Sequence, residues 1–242
     1  MHVPDGFLNL PTSAVTGAVA VAGIALALRG AKRELDERTA PLAGLTATFV
    51  FAAQMVNFPV GAGTSGHLIG GTLAAILVGP WTATLCLTVV TVVQALLFAD
   101  GGLTALGTNV LLLAIVAVWV GWGVSRLVLR LLSGSPDRSH PDLAHPDASR
   151  PPARRAVAWA GAAGALVSVP AAALVFCGLY AVGGAVAVPL GLLVPTMLGV
   201  HALIGLGEAA ITYGVLAAVT ASRPDLVHAL RSSEPVLQEV SA

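Results

Sequence analysis

The feature that most constrains this chain is a succession of apolar segments that leaves little residue supply for a water-facing surface. Seven can be drawn, at about 10–29, 41–57, 68–80, 82–98, 105–132, 156–182 and 190–221. Crossing a bilayer as a helix takes about 20 apolar residues. Most of the segments approach or exceed that length; the third is short and is expected to tilt into its flanks or to lie half-buried against neighbours. Only 10% of the residues are charged, against about 25% in soluble domains. The sequence therefore predicts an all-α integral membrane bundle of seven transmembrane helices over residues 1–222. A flexible polar loop is expected at about 133–155 and a polar tail at 223–242. A net charge of zero gives no case for nucleic acid.

Basic residues orient the bundle. Arg29, Lys32, Arg33 and Arg38 follow the first segment. Arg126, Arg130, Arg138, Arg150, Arg154 and Arg155 lie at or between the ends of the fifth and sixth, and Arg223 and Arg231 are in the tail. With seven spans all of them fall on one side, which the positive-inside rule makes cytoplasmic; six or eight spans would split them. The amino terminus is then outside, the carboxyl terminus inside, and the location a cell inner or plasma membrane. Residues 1–12 contain no Lys or Arg, unlike a secretory leader, so the first segment is expected to be retained and the mature chain to begin at Met1.

That orientation exposes the opening octapeptide, Met1-His2-Val3-Pro4-Asp5-Gly6-Phe7-Leu8, on the outer side. The Met1 amine and the His2 amide nitrogen close a five-membered chelate ring on a metal, and His2 Nδ1 closes a fused six-membered ring. Three nitrogens then share a plane with one position open. Planar nitrogen ligation suits Ni(II) and Cu(II), and Co(II) can also drive amide deprotonation. Mg(II) and Ca(II) prefer oxygen, and Zn(II) a tetrahedron. Alternatively the octapeptide is an ordinary chain start with His second.

His67 stands on the same side in a glycine-rich run, 61–71. It reads either as the fourth ligand, presented by a closely packed loop, or as a helix-start histidine facing water. Glu208 is the acidic residue deep in a span, and His201 lies two turns before it on the same face. Asn57, Ser65, His201 and Glu208 are candidates for holding the ligands in place, or for a structural network with Gln54, Gln94 and Asn109. His140, His145 and His228 read as solvated linker or tail residues, and Cys86 and Cys177 as small buried hydrophobes. Small residues spaced by four, Ala14, Ala18 and Ala22 with Ala43 and Ala47, allow close helix approach, either to a partner subunit or, as an alanine-rich chain favours, in internal packing.

Three stretches together resemble the cobalt/nickel substrate-binding components of energy-coupling-factor importers, the CbiM/NikM family. They are Met1–Leu8; Gly63-Thr64-Ser65-Gly66-His67-Leu68 with Gly70-Gly71 and Gly79-Pro80-Trp81; and Gly199–Ala209, which includes His201 and Glu208. The resemblance implies a seven-helix fold and a metal plane made by Met1, His2 and His67. It also implies a transmembrane coupling subunit, two ATP-binding subunits and often a small two-helix accessory chain. The sequence has no Gly-x-x-x-x-Gly-Lys-Ser/Thr phosphate loop, so ATP hydrolysis is expected in partners and no enzyme activity here. Ni(II) or Co(II) would be cargo, with no organic cofactor. A passive metal channel or membrane metal sensor is the alternative.

Overall fold

The structure, a computed structural model of the chain, describes residues 2–37, 39–61, 64–132 and 150–231; for 58–61, 64–65 and 150–153 it describes the backbone alone. The seven apolar segments all become helices. Helix α1 spans Leu10–Ala31, α2 Thr39–Gln54, α3 Gly71–Val78 and α4 Pro80–Leu97. Helix α5 runs Leu106–Leu132 with a π-helical turn at Leu111–Val116. Helix α6 spans Arg150–Gly183 and α7 Leu190–Ser222. Five of these are long and apolar enough to cross a membrane: α1, α4, α5, the Arg154–Gly183 part of α6, and α7. Helix α3 has 8 residues, about 12 Å at 1.5 Å per residue, against about 30 Å of hydrocarbon. Every residue of it is buried. The short third segment is thus a central plug around which the longer helices stand.

Local chemistry sets several boundaries. Asn9, in extended conformation, accepts the Thr12 N–H at 2.9 Å and caps α1, and Pro11 sits in the first turn, where its missing N–H costs nothing. The turn between α3 and α4 needs Gly79, whose φ is 94° and whose absent Cβ would fall 2.4 Å from the Glu34 carboxyl carbon. That carboxylate accepts the Thr82 N–H at 2.7 Å and the Trp81 N–H at 3.2 Å, capping α4 from a distant loop.

The polar run after α2 forms a short antiparallel hairpin, β1 (Asn57–Gly61) with β2 (Thr64–His67), in which Asn57 pairs with His67. The tail does not begin as a solvated strand. A 3-10 turn at Pro224–Leu226 and a short helix α8, His228–Arg231, pack back on the bundle, burying Val227 and Ala229. His228 lies half-buried against Trp122, their rings 5.9 Å apart, rather than free in solvent. His140, His145 and residues 232–242 lie outside the described residues.

The bundle exposes large apolar side chains and buries polar ones within an otherwise apolar core. Val15, Val19, Leu26, Leu45, Leu203 and Leu206 face outward, whereas Thr16, Gln54, Gln94, Asn109, His201 and Glu208 are buried. This is what a hydrocarbon surround selects. The α1 stripe at Ala14, Ala18 and Ala22 is exposed, contrary to its reading as internal packing. The helix is turned so that Thr16, Ala20, Ala27 and Ala31 face inward, and the Thr16 hydroxyl meets that of Thr108 at 2.7 Å. Cys86 and Cys177 are free, half-buried and buried respectively.

Candidate metal centre

Residues 2–9 do not trail from the bundle; they are threaded into it as a strand-like segment bent by a turn at Asp5-Gly6, where Gly6 has φ 73° and Phe7 donates its N–H to the Pro4 carbonyl. Val3 donates its N–H to Asn109 Oδ1 at 2.7 Å, and Asn109 Nδ2 donates to the Val3 carbonyl at 3.1 Å, so one carboxamide imitates a strand neighbour. The same carbonyl accepts the Gly102 N–H at 2.9 Å. On the other side Ala185 donates to the Phe7 carbonyl at 3.0 Å, and Asn9 to the Gly183 carbonyl at 2.7 Å. Phe7 packs its ring against Phe176 and Tyr180. Asp5 accepts both the N–H and the hydroxyl of Thr104, at 2.7 and 2.6 Å, and these bonds hold its carboxyl below the usual range. Gly102 has no tolerable substitute, because a Cβ there would come within 2.3 Å of the Asp5 nitrogen.

This seat delivers His2 to the base of the hairpin. His2 is 5% exposed and His67 fully buried. Their imidazoles stack with centroids 4.6 Å apart, and His2 Nδ1 lies 3.1 Å from His67 Nε2. The Leu68 carbonyl, 2.7 Å from His67 Nδ1, can only accept, so it fixes the proton on that nitrogen. The Nε2 lone pair of His67 is therefore aimed at His2. Two imidazole nitrogens bound at right angles to one ion, each at about 2.0–2.1 Å, stand about 2.8–3.0 Å apart, close to the spacing found. Burial depresses the basicity of both rings, His67 most strongly; for His2 the Asp100 carboxylate, 3.1 Å away, partly offsets it. Neutral imidazoles are the form that binds metal.

Among the described residues no three His, Cys, Asp or Glu side chains gather as a metal-binding group, and no hydrogen-bond acceptor takes the His2 amide N–H. Met1 lies outside the described residues.

The supporting residues are arranged differently from the sequence-based expectation. Glu208 does not pair with a side chain; its carboxylate accepts the Ile69 and Gly70 N–H groups at 2.6 and 2.9 Å. Gln54 Nε2 donates to the Ile69 carbonyl at 2.7 Å. Two buried polar residues thus clamp the peptide two positions after His67. His201 Nδ1 bonds the Met197 carbonyl of its own helix at 2.8 Å, and no hydrogen bond joins it to His2 or His67. Asn57 acts at one remove, its Nδ2 3.4 Å from Asp100 Oδ2. Ser65 pairs across the hairpin with Pro59 through the backbone.

Sequence reasoning missed Asp100, the direct neighbour of His2, and the clamping role of Asn109. Asp100 sits in a tight loop in which Ala99 has φ 52° and Gly101 φ 98°. The Asp-Gly-Gly run was a signal for the loop, but nothing local tied it to residue 2.

Comparison with known proteins bears on the family and the fold. The family described as CbiM, cobalt uptake substrate-specific transmembrane region, matches residues 2–226. A Haloquadratum walsbyi protein carrying a metal-transport name is 37% identical over 227 residues, 94% of this chain and 93% of that protein. The fused nickel transport protein NikMN of Rhodobacter capsulatus is 41% identical over 130 residues, 54% of this chain and 38% of that protein. A crystal structure of a truncated transition metal transporter superposes with a TM-score of 0.77 at 32% identity, covering 91% of this chain and 99% of the other.

Proposed function

This chain belongs to the CbiM family of cobalt uptake substrate-specific transmembrane regions, and on that premise we propose that it captures Ni(II) or Co(II) at the outer side of the membrane as the substrate-binding subunit of an ATP-driven importer. The observation that carries the reading is the convergence of His2 Nδ1 and His67 Nε2 at 3.1 Å in a buried site. The seat of residues 2–9 supports it, because it fixes the backbone nitrogen that must share the ion. Met1 amine, His2 amide and imidazole, and His67 imidazole would then form one plane, with Asp100, Asn109, Glu208 and Gln54 holding it.

The distribution of charge supports the orientation. Lys32, Arg33, Arg126, Arg130, Arg154, Arg155 and Arg223 lie at the ends of helices opposite the seat. The seat end carries Asp5 and Asp100, so an approaching cation meets no basic side chain there among the described residues. A transmembrane coupling subunit, two ATP-binding subunits and a small two-helix accessory chain would complete the machine. A passive channel or sensor is the competing reading, and metal uptake into vesicles that contain this chain alone would favour it.

The test is a residue added before Met1, which moves the amine out of chelating reach. High-affinity Ni(II) binding by the purified protein should then be lost, and His67→Ala should abolish the yellow, diamagnetic Ni(II) spectrum. Unchanged affinity in both variants would refute the site.

A further inference from the structure

At the basic end of the bundle, far from the histidines, a cavity of about 370 Å³ opens between the start of α6 and the end of α7. Ligand clefts commonly run from about 300 to 1,000 Å³. Arg154, Arg155 and Ala158 line it from α6, and Tyr213, Ala217 and Ala221 from α7. The three alanines leave open the space that larger side chains would fill. Among the described residues neither arginine has an ion-pair partner, unlike Arg223 at the same end, which holds Asp225 at 2.9 Å. The Tyr213 hydroxyl likewise makes no hydrogen bond among them. Two guanidinium groups and a phenol thus share one space with no anion of the described chain to meet them.

The depth of the cavity points to what meets them. The Arg154–Gly183 span has 30 residues, about 45 Å at about 1.5 Å per residue. That is the bilayer with its headgroups, about 40–45 Å, rather than the hydrocarbon core of about 30 Å. Arg154 is the first residue of that span, and the α7 span closes at Ser222, next to Ala221. The cavity therefore lies at headgroup level. Trp159, 59% exposed, sets its ring 4.7 Å from that of Tyr213, the aromatic placement of a membrane–water boundary. Two helical turns deeper, on the same faces as these two rings, Leu166 and Leu206 are exposed. A basic cavity, an aromatic step and an apolar seam follow one another, as phosphate, glycerol and acyl chain do in a phospholipid. Guanidinium groups match phosphate oxygens in geometry, and basic pockets between transmembrane helices take anionic headgroups. We infer that this cavity binds the phosphate headgroup of an anionic phospholipid whose acyl chains lie along the α6–α7 seam. The seam is what favours a lipid over a free phosphate ion or an acidic segment of a partner protein. The inference rests on the chain spanning a membrane and not on the metal-capture reading.

The test titrates the purified chain in neutral detergent with phosphatidylglycerol and with phosphatidylcholine of the same acyl chains, and bound lipid is counted by native mass spectrometry. A basic residue near a membrane surface is worth about fivefold in affinity for anionic lipid. The two arginines should therefore favour phosphatidylglycerol about thirtyfold, with one molecule retained per protein. Arg154→Gln/Arg155→Gln should bring the preference within about threefold. Lys32→Gln/Arg33→Gln, which removes the same charge from exposed positions after α1, should leave it near the wild-type value. Phosphatidylglycerol with brominated chains should quench tryptophan emission in wild type, and by less than half as much in Trp159→Phe, a readout that needs no charge variant to fold. A wild-type preference below about threefold, an equal loss of preference in the Lys32/Arg33 variant, or equal quenching in wild type and Trp159→Phe would overturn the site. Displacement of the lipid by millimolar inorganic phosphate would assign the cavity to the free ion, and a preference that survives Arg154→Gln/Arg155→Gln would leave the arginines to an acidic partner segment; either result overturns the lipid site.

Discussion

Replacing Asn109 with alanine should loosen the strand that carries His2, and the structure sets the size of the effect. Val3 is 1% exposed, and its N–H has Asn109 Oδ1 as acceptor at 2.7 Å. Removing the acceptor leaves a buried, unmet donor, at a cost of about 1–3 kcal/mol. The second bond, from Asn109 Nδ2 to the Val3 carbonyl, contributes about 0.5–1.5 kcal/mol. The lower part of that range applies, because the carbonyl keeps the Gly102 N–H at 2.9 Å. The sum, about 1.5–4 kcal/mol, is a tenfold to several-hundredfold rise in the opening equilibrium of the strand. Hydrogen exchange of residues 2–9 in the metal-free protein reads that equilibrium directly. Protection should fall by this factor in Asn109→Ala, while exchange in α3, which makes none of the hydrogen bonds that seat the strand, stays unchanged. Ni(II) affinity falls only as far as the seat is actually emptied, since affinity scales with the competent fraction. Strand protection within threefold of wild type would refute the clamp. A matching loss in α3 would show that the substitution damages the bundle rather than the seat.

Three further outcomes are expected. Gly102→Ala places a methyl group 2.3 Å from the Asp5 nitrogen; Ni(II) affinity should drop at least tenfold with little change in melting temperature, and wild-type affinity would show that the strand can move aside. Glu208→Gln sets an amide N–H against one of the two peptide donors at Ile69 and Gly70; at about 1–3 kcal/mol for the unmet donor, exchange at 67–71 should quicken and Ni(II) bind more weakly, and no change in either would remove Glu208 from the support of His67. The Asp5 carboxyl has its pKa lowered in the folded state by Thr104, so its contribution is present above the unfolded value near 3.9 and is lost as pH falls through the folded one. Exchange of residues 2–9 should therefore rise in acid more steeply in wild type than in Asp5→Asn, and parallel profiles would exclude the Thr104 contact as an anchor.

The helices were legible because apolar runs of this length have few alternatives in a chain so poor in charge. The place of α3 was not. An 8-residue apolar stretch reads the same whether it crosses lipid or plugs a bundle, and what decides is the packing around it. His2 and His67 were legible as chemistry, two imidazoles in glycine- and proline-marked segments, but their contact spans 65 positions. Asp100 and Asn109 escaped for that reason: each meets residue 2 or 3 across about a hundred positions of chain. Glu208 was visible as a costly buried acid, yet its partner was misjudged, because the peptide entering α3 offered unmet N–H donors that no side-chain census reveals. Gly70, which precedes α3, has no side chain with which to cap it.

The threading of residues 2–9 also has a consequence in time. Their partners are residues 102–109 and 183–185, so the strand cannot be seated when it is made. At about 5–20 residues per second, Ala185 emerges about 10–40 s after Phe7. Residues 102–109 follow about 5–20 s after Phe7 at that rate; until then the stretch with the most exacting final position has none of these bonds, and it lacks those to 183–185 for the whole interval, while the helices that will flank it are still being inserted. Assembly of this protein is the closing of a clasp by its earliest-made end, and any factor that captured that end during synthesis would delay the clasp without touching a single helix.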